Sequence, residues 1–93
     1  MTTTVKRYYY ASYEENSRSL KVFGFENMID CVNWIDEINK SRKFIDGKIA
    51  AEKIDRQKAM KYVQCVNKLL TFTKLTDHLI NPYGYKMYTV LSS

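Results

Sequence analysis

Alternation of apolar and polar positions predicts strands in three parts of the chain. The alternation runs over residues 5–13 and again over residues 19–25, with a polar turn at residues 14–18 between them. A period of two is typical of strands, and the three consecutive tyrosines at 8–10 pack well on a pleated surface. Residues 85–91 are rich in aromatic and β-branched side chains. We therefore predict a hairpin followed, much later in the chain, by a further strand.

Two other segments have the helical period of 3.6 residues. Residues 27–40 begin with Asn27, a good N-cap, and carry Asp30 in the first turn, where the helix dipole favours a negative charge. Residues 55–70 begin with Asp55, also a favourable cap. The apolar stripe of the first helix is Met28, Cys31, Val32, Trp34, Ile35 and Ile38, and that of the second is Ala59, Tyr62, Val63, Val66, Leu69 and Leu70. We expect Trp34 to be buried.

Two short segments fit more than one structure. Asp46-Gly47 could be the turn of a small hairpin, or residues 48–54 could form the first turns of the second helix. Residues 71–80 fit either period, and residues 81–84, which contain Pro82 and Gly84, predict a turn.

These elements predict an α+β fold, with an antiparallel sheet of three to four strands and the two main helices packed on one of its faces. A chain of 93 residues is expected to form a single domain, residues 1–93. No apolar run is long enough to span a bilayer and no secretory signal is seen, so we expect a cytoplasmic location. Cys31 and Cys65 are then expected to be reduced thiols on buried helix faces.

The net charge of +5 is unevenly distributed. Residues 14–39 hold six acids against two bases, whereas residues 40–68 hold nine bases against three acids. The polar side of the second predicted helix contains only basic and amide residues from Arg56 to Lys68. Arg and Lys bind phosphates and Gln64 could reach a base edge, although a solvated lysine-rich face has the same pattern. The residues predicted to contact nucleic acid or another partner are Lys40, Arg42, Lys43, Lys53, Arg56, Lys61, Gln64 and Lys68.

The tyrosines offer an alternative interface. If the first and last strands were neighbours, their exposed aromatic rings could stack on bases or contact another protein. The competing interpretation is that these rings are core and sheet-packing residues. The residues of this alternative surface are Tyr8, Tyr10, Tyr85 and Tyr88.

Catalytic chemistry has little support in the sequence. His78 is the single histidine, no Cys/His cluster has metal-ligand spacing, and the three glycines are too scattered to form a phosphate loop. We therefore expect no catalytic residues, no metal site, no cofactor and no enzyme activity.

In size, in its Asn-, Lys-, Tyr- and Ile-rich composition, and in the order hairpin (6–25) then helix (27–40), the chain resembles small phage proteins. That group includes host-takeover factors and anti-CRISPR inhibitors, and the resemblance implies stoichiometric binding instead of turnover. A net charge of +5 argues against DNA mimicry and favours a grip on nucleic acid or on an acidic protein surface. We expect a non-enzymatic binding or inhibitor protein whose basic side contacts nucleic acid or a nucleoprotein complex. A host protein bound through the tyrosine surface, or a homodimer, is the alternative, and no membrane contact is expected.

Overall fold

The computed structural model describes residues 7–16, 19–42, 44–45, 48–65 and 69–92. These ranges contain seven strands and two helices, and the order of the elements confirms an α+β fold. In chain order they are β1 (Tyr9–Asn16), β2 (Ser19–Phe25), α1 (Met28–Arg42), β3 (Phe44–Ile45), β4 (Lys48–Ile49), β5 (Ala51–Ile54), α2 (Arg56–Tyr62), β6 (Leu70–Lys74) and β7 (Met87–Ser92).

Five strands form one antiparallel sheet in the order β5-β1-β2-β7-β6. The predicted number of three to four strands is too low, because the two segments with ambiguous patterns each contribute an edge strand. β5 pairs with β1 from Tyr10↔Ile54 to Tyr13↔Ala51, and β6 pairs with β7. The small hairpin also forms, since β3 pairs with β4, and a helix over residues 48–54 is wrong.

The two helices lie on opposite faces of the sheet, so the prediction that they share one face is wrong. α1 packs on the face that carries Ala11 and Tyr13, whereas α2 packs on the face that carries Tyr10 and Val22. Both faces of β1 are apolar, and each therefore needs a covering layer. The chain reaches the second face because edge strand β5 separates the two helices, and α2 begins at Arg56, one residue after β5 ends.

The larger core is centred on Trp34, which is fully buried as predicted. Its indole ring lies 5.5–5.6 Å, centroid to centroid, from Tyr13, Phe23 and Phe25. The indole N–H donates to the Ile80 carbonyl oxygen at 2.8 Å, which satisfies its one polar atom. Helix α1 is thereby tied both to the sheet and to the segment that precedes β7.

Helix α1 begins one residue after the predicted start and ends two residues after the predicted end. Cys31 and Ile38 of its stripe are buried, but Met28 and Val32 are nearly half exposed, so the buried side is narrower than predicted. Asn39 extends the contact to edge strand β5, where its side-chain amide donates to the Ala51 carbonyl and accepts from the Ala51 N–H, both at 2.9 Å. These two bonds satisfy backbone groups that an edge strand leaves unpaired.

Helix α2 is much shorter than the predicted helix over residues 55–70. Asp55 caps it as expected, accepting from the Lys58 N–H at 2.8 Å, but Tyr62 is the last helical residue. The Gln64 N–H then donates to the Lys61 carbonyl and the Cys65 N–H to the Met60 carbonyl. This pair of bonds is the Schellman motif that ends helices, and Gln64 occupies its left-handed position with φ of 54°. Glycine normally occupies that position. Because Gln64 stands there instead, nothing in the sequence indicates where the helix ends.

Three smaller corrections remain, and the first is that β1 continues to Asn16, so residues 14–16 are strand and not part of the predicted polar turn. Leu70, expected in the second helix, instead begins β6, while Val66 lies outside the described residues. The last strand begins at Met87 instead of residue 85 because the turn at 81–84 is followed by two hydrogen bonds between the Asn81 side chain and the Tyr85 backbone.

In the part of the chain that the structure describes, neither helix is both long and apolar enough to cross a membrane.

Candidate nucleic-acid interface

The predicted basic residues do not form one continuous surface. Lys40 lies on α1, where its ammonium is 3.3 Å from a carboxylate oxygen of Asp36 and 4.0 Å from one of Glu37, so nearby acids offset its charge. Arg42 is the last residue of α1. Lys43 and Lys68 lie outside the described residues.

The shortening of α2 also divides the basic side of that helix. Lys61 is exposed on the helix, and Lys58 beside it lies 6.0 Å from the centroid of the Tyr62 ring. Gln64 is exposed but lies beyond the helix end, so it does not continue the row. Arg56, at the start of the helix, lies on a different side from Lys61. The two residues are five positions apart, and at about 100° per residue their side chains point about 140° apart around the helix axis.

Lys53 and Arg56 instead come together with Arg7 along one groove of about 810 Å³ at the end of the sheet. β1 begins at this end of the sheet, and β5 ends there because the two strands are antiparallel. Lys53 is the second-last residue of β5, and Arg56 follows one residue after the chain leaves that strand. Six of the residues lining the groove carry its chemistry: Arg7, Tyr8, Lys53, Asp55, Arg56 and Phe72.

An aromatic stack forms part of the groove lining. The rings of Tyr8 and Phe72 are stacked with centroids 4.0 Å apart and planes 13° apart. The Tyr88 ring meets Tyr8 edge-on at 5.7 Å. Below Phe72 lies the backbone of Gly24, where an added Cβ would sit 3.1 Å from a Phe72 ring carbon. The close approach of Phe72 to the sheet therefore depends on glycine at this position, and Tyr8 stacks against the same ring.

The charges of the groove are mainly positive. Burial raises the pKa of the Tyr10 hydroxyl, while the positive charge of the Arg56 guanidinium lowers it. The guanidinium therefore lies close to Tyr10. Burial likewise raises the pKa of the Cys31 thiol to about 11, and Lys53 partly opposes the shift. Among the described residues, three cations thus line the groove together with one acid, Asp55, one of whose oxygens already accepts the backbone bond that caps α2.

The four tyrosines of the alternative interface are divided among different environments. Tyr8 is half-buried beside the groove, but Tyr10 is only 6% exposed beneath it. Tyr85 packs against the core on the opposite face, where α1 lies. Tyr88 shares a face with Tyr8, and its hydroxyl donates to the Glu26 carboxylate. β2 lies between β1 and β7, so the first and last strands are not neighbours.

A second cavity, of about 490 Å³, lies at the opposite end of β2 and β7. Its lining includes Leu20, Val22, Tyr62 and Val90. Lys21 and Asp77 supply one charge of each sign. Because the described residues that line it show no excess of cations, this cavity is less suited to phosphates than the groove.

The groups considered for catalysis are placed apart from one another. His78 lies in an exposed turn, and Cys31 is buried on the inner side of α1. Cys65 lies beyond the end of α2 instead of on a buried helix face, and its thiol donates to the Leu69 carbonyl at 3.1 Å. Both cysteines are free thiols. Among the residues described, no three His, Cys, Asp or Glu side chains are grouped so that they could hold a metal ion.

Three of the six residues that carry the chemistry of the groove, Arg7, Asp55 and Phe72, are not among the site residues predicted from the sequence, where Asp55 is expected only as a helix cap. The alternation of the first strand places Arg7 on the face of Tyr9 and gives it no role. Phe72 lies in the segment whose pattern fits both helix and strand. The alternation of apolar Leu70, polar Thr71 and apolar Phe72 is the feature of the sequence that indicates a strand there.

Comparison of the chain with protein-family models, with curated proteins and with solved structures finds no match in any of the three.

Proposed function

We propose that this protein is a non-enzymatic binding protein that contacts nucleic acid, free or within a nucleoprotein complex, through the groove at the end of its sheet. The observation that carries the proposal is the convergence of Arg7, Lys53 and Arg56 on one concave surface that also contains stacked aromatic rings. Stoichiometric binding of this kind is also what the resemblance to phage inhibitors implies.

The chemistry of the groove matches what a nucleic acid presents. Phosphates are bound by Arg and Lys side chains, and bases are bound by aromatic faces and polar groups. Arg7 lies two residues before β1, Lys53 lies on β5 and Arg56 begins α2, so three separate parts of the chain bring the cations to the groove. A net charge of +5 adds long-range attraction to any polyanion, which speeds encounter but does not select a site.

Charge reversal within the groove tests the proposal. The variant Arg7→Glu/Lys53→Glu/Arg56→Glu has a net charge of −1, because each substitution changes the charge by two units from +5. We expect it to lose most of its affinity for labelled oligonucleotides, measured by fluorescence anisotropy over a series of salt concentrations. The slope of log K against log salt should fall by about 0.7–0.9 for each phosphate that the variant no longer binds.

A matched variant separates the groove from overall charge. Lys21→Glu/Lys61→Glu/Lys86→Glu reaches the same net charge of −1 by changing three exposed lysines that do not line the groove. It should lose the long-range attraction but keep the larger part of its salt slope. Equal losses in the two variants would show that binding depends on net charge alone, and would overturn the assignment of the groove. Absence of binding by the wild-type chain would overturn the proposed function.

A further inference from the structure

We propose that the groove takes a single strand of DNA or RNA, with one base stacked on the Tyr8 ring and flanking phosphates against Arg7, Lys53 and Arg56. This inference rests on the proposed function and specifies the form of nucleic acid that the groove recognises. It follows from the way the aromatic rings are supported, and from what a duplex can offer to such a surface.

Tyr8 is held as a platform in the groove that the three cations also line. Phe72 stacks on it at 4.0 Å, and the edge-on Tyr88 ring limits its rotation. Phe72 in turn rests on Gly24, so the column is supported by the sheet backbone. Tyr8 nevertheless remains partly exposed and lines the groove. A base placed on Tyr8 would extend an existing stack, and little side-chain entropy would be lost because the ring is already ordered.

A duplex cannot make this contact without being opened. Its bases are stacked on one another and present only their edges in the grooves, so an aromatic face reaches a base only when that base is unpaired or flipped out. Insertion of a helix into the major groove is also poorly supported, because α2 is only seven residues long and its cap is the acid Asp55. A single strand presents base faces and phosphates together, which is the combination that the groove can bind.

The experiment compares ligands on the unmodified protein, so it does not depend on whether a variant folds. The probes are fluorescein-labelled oligo-dT and oligo-rU of about 12 nucleotides, within the usual site size of single-strand binders. Alongside them are a duplex of the same length and an abasic strand that keeps the phosphates but lacks the bases. We expect oligo-dT or oligo-rU to bind about tenfold more tightly than either the duplex or the abasic strand, because neither of these offers a base to stack on Tyr8.

The outcomes separate this inference from the proposed function. If the duplex bound as tightly as oligo-dT and oligo-rU, or more tightly, the single-strand inference would be overturned. The proposed function would stand as long as charge reversal of Arg7, Lys53 and Arg56 still lowered the salt slope of duplex binding. An abasic strand that binds as well as oligo-dT would likewise overturn base stacking. Binding to none of the probes would overturn both. A preference between oligo-dT and oligo-rU supports the inference with either sign and identifies DNA or RNA as the ligand.

Variants at position 8 then locate the stacked base. Tyr8→Phe keeps the ring and should retain single-strand affinity, whereas Tyr8→Ala should weaken it by about tenfold and leave duplex binding unchanged. Circular dichroism confirms that each variant is folded before its affinity is compared. Full single-strand affinity in folded Tyr8→Ala would overturn the assignment of the platform to Tyr8.

Discussion

The substitution Trp34→Ala tests the central packing of the fold. The side chain is fully buried, touches three aromatic rings of the sheet and donates a hydrogen bond to the Ile80 carbonyl. Removing a buried aromatic side chain costs about 3–5 kcal/mol through lost transfer energy and the cavity left behind. Because the Ile80 carbonyl also loses its donor, which carries a further cost of about 1 kcal/mol or more, we expect a value near the upper end of that range.

A loss of this size would be a large part of the stability of the domain. Small domains have an unfolding free energy of about 5–15 kcal/mol, and each kcal/mol corresponds to about 4–8 °C in Tm at this chain length. We therefore expect Trp34→Ala to lower Tm by roughly 20 °C or more. Urea unfolding followed by far-UV circular dichroism measures the change, since the variant lacks the one tryptophan of the chain and cannot be followed by its fluorescence.

The variant Trp34→Phe separates the hydrogen bond from the ring packing. It keeps an aromatic ring in the core but removes the N–H that donates to Ile80, so we expect a smaller loss of about 1–3 kcal/mol. A Trp34→Ala protein whose unfolding free energy falls by less than about 1 kcal/mol would refute the assignment of Trp34 to the centre of the core.

Three further predictions concern the aromatic stack, the groove charge and the thiols. Gly24→Ala should lower Tm, because its Cβ would lie 3.1 Å from Phe72 and displace that ring. Asp55→Asn should keep the helix cap and leave Tm unchanged, while oligonucleotide binding tightens by up to about 1 kcal/mol as the groove loses its acid. Native protein should react at pH 8 with one equivalent of Ellman's reagent at Cys65, and with two after unfolding, because Cys31 is buried and its pKa is raised to about 11. Since folding raises that pKa above the ordinary 9.0, Cys31 should make the unfolding free energy decrease as pH rises from about 9 towards 11.

Each of these predictions has a result that would contradict it. For the glycine, substitution of Phe72 by Leu in the Gly24→Ala background should recover part of the lost Tm, and no recovery would exclude the ring contact as the cause. A fall in Tm for Asp55→Asn would mean that asparagine does not replace the cap. Rapid reaction of both thiols in the native protein would contradict the burial of Cys31.

Two of the four elements in the predicted hairpin and helices have nearly the bounds expected from the sequence, whereas β1 extends three residues past its predicted end at residue 13 and α2 ends eight residues early. α1 and β2 match the predicted segments within two residues at each end, because fifteen residues of helical period and seven of alternation are unambiguous. β5 and β6, with four and five residues, are too short for periodicity to distinguish them from helical turns. The end of α2 escapes prediction for a different reason, since Gln64 adopts the left-handed conformation without the glycine that normally signals it.

The amino-acid sequence is sufficient for the α+β class, the burial of Trp34 and the concentration of bases in residues 40–68, because these depend on local period and composition. The choice of opposite faces for the two helices depends on edge strand β5, whose position is set by pairing with β1 far away in the chain. The groove depends on the same pairing, which brings Arg7 beside Lys53 and Arg56, while β6 carries Phe72 onto the face that holds Tyr8. These residues are distant in sequence, and no local pattern records which strands become neighbours; only the balance of burial over the whole sheet decides it.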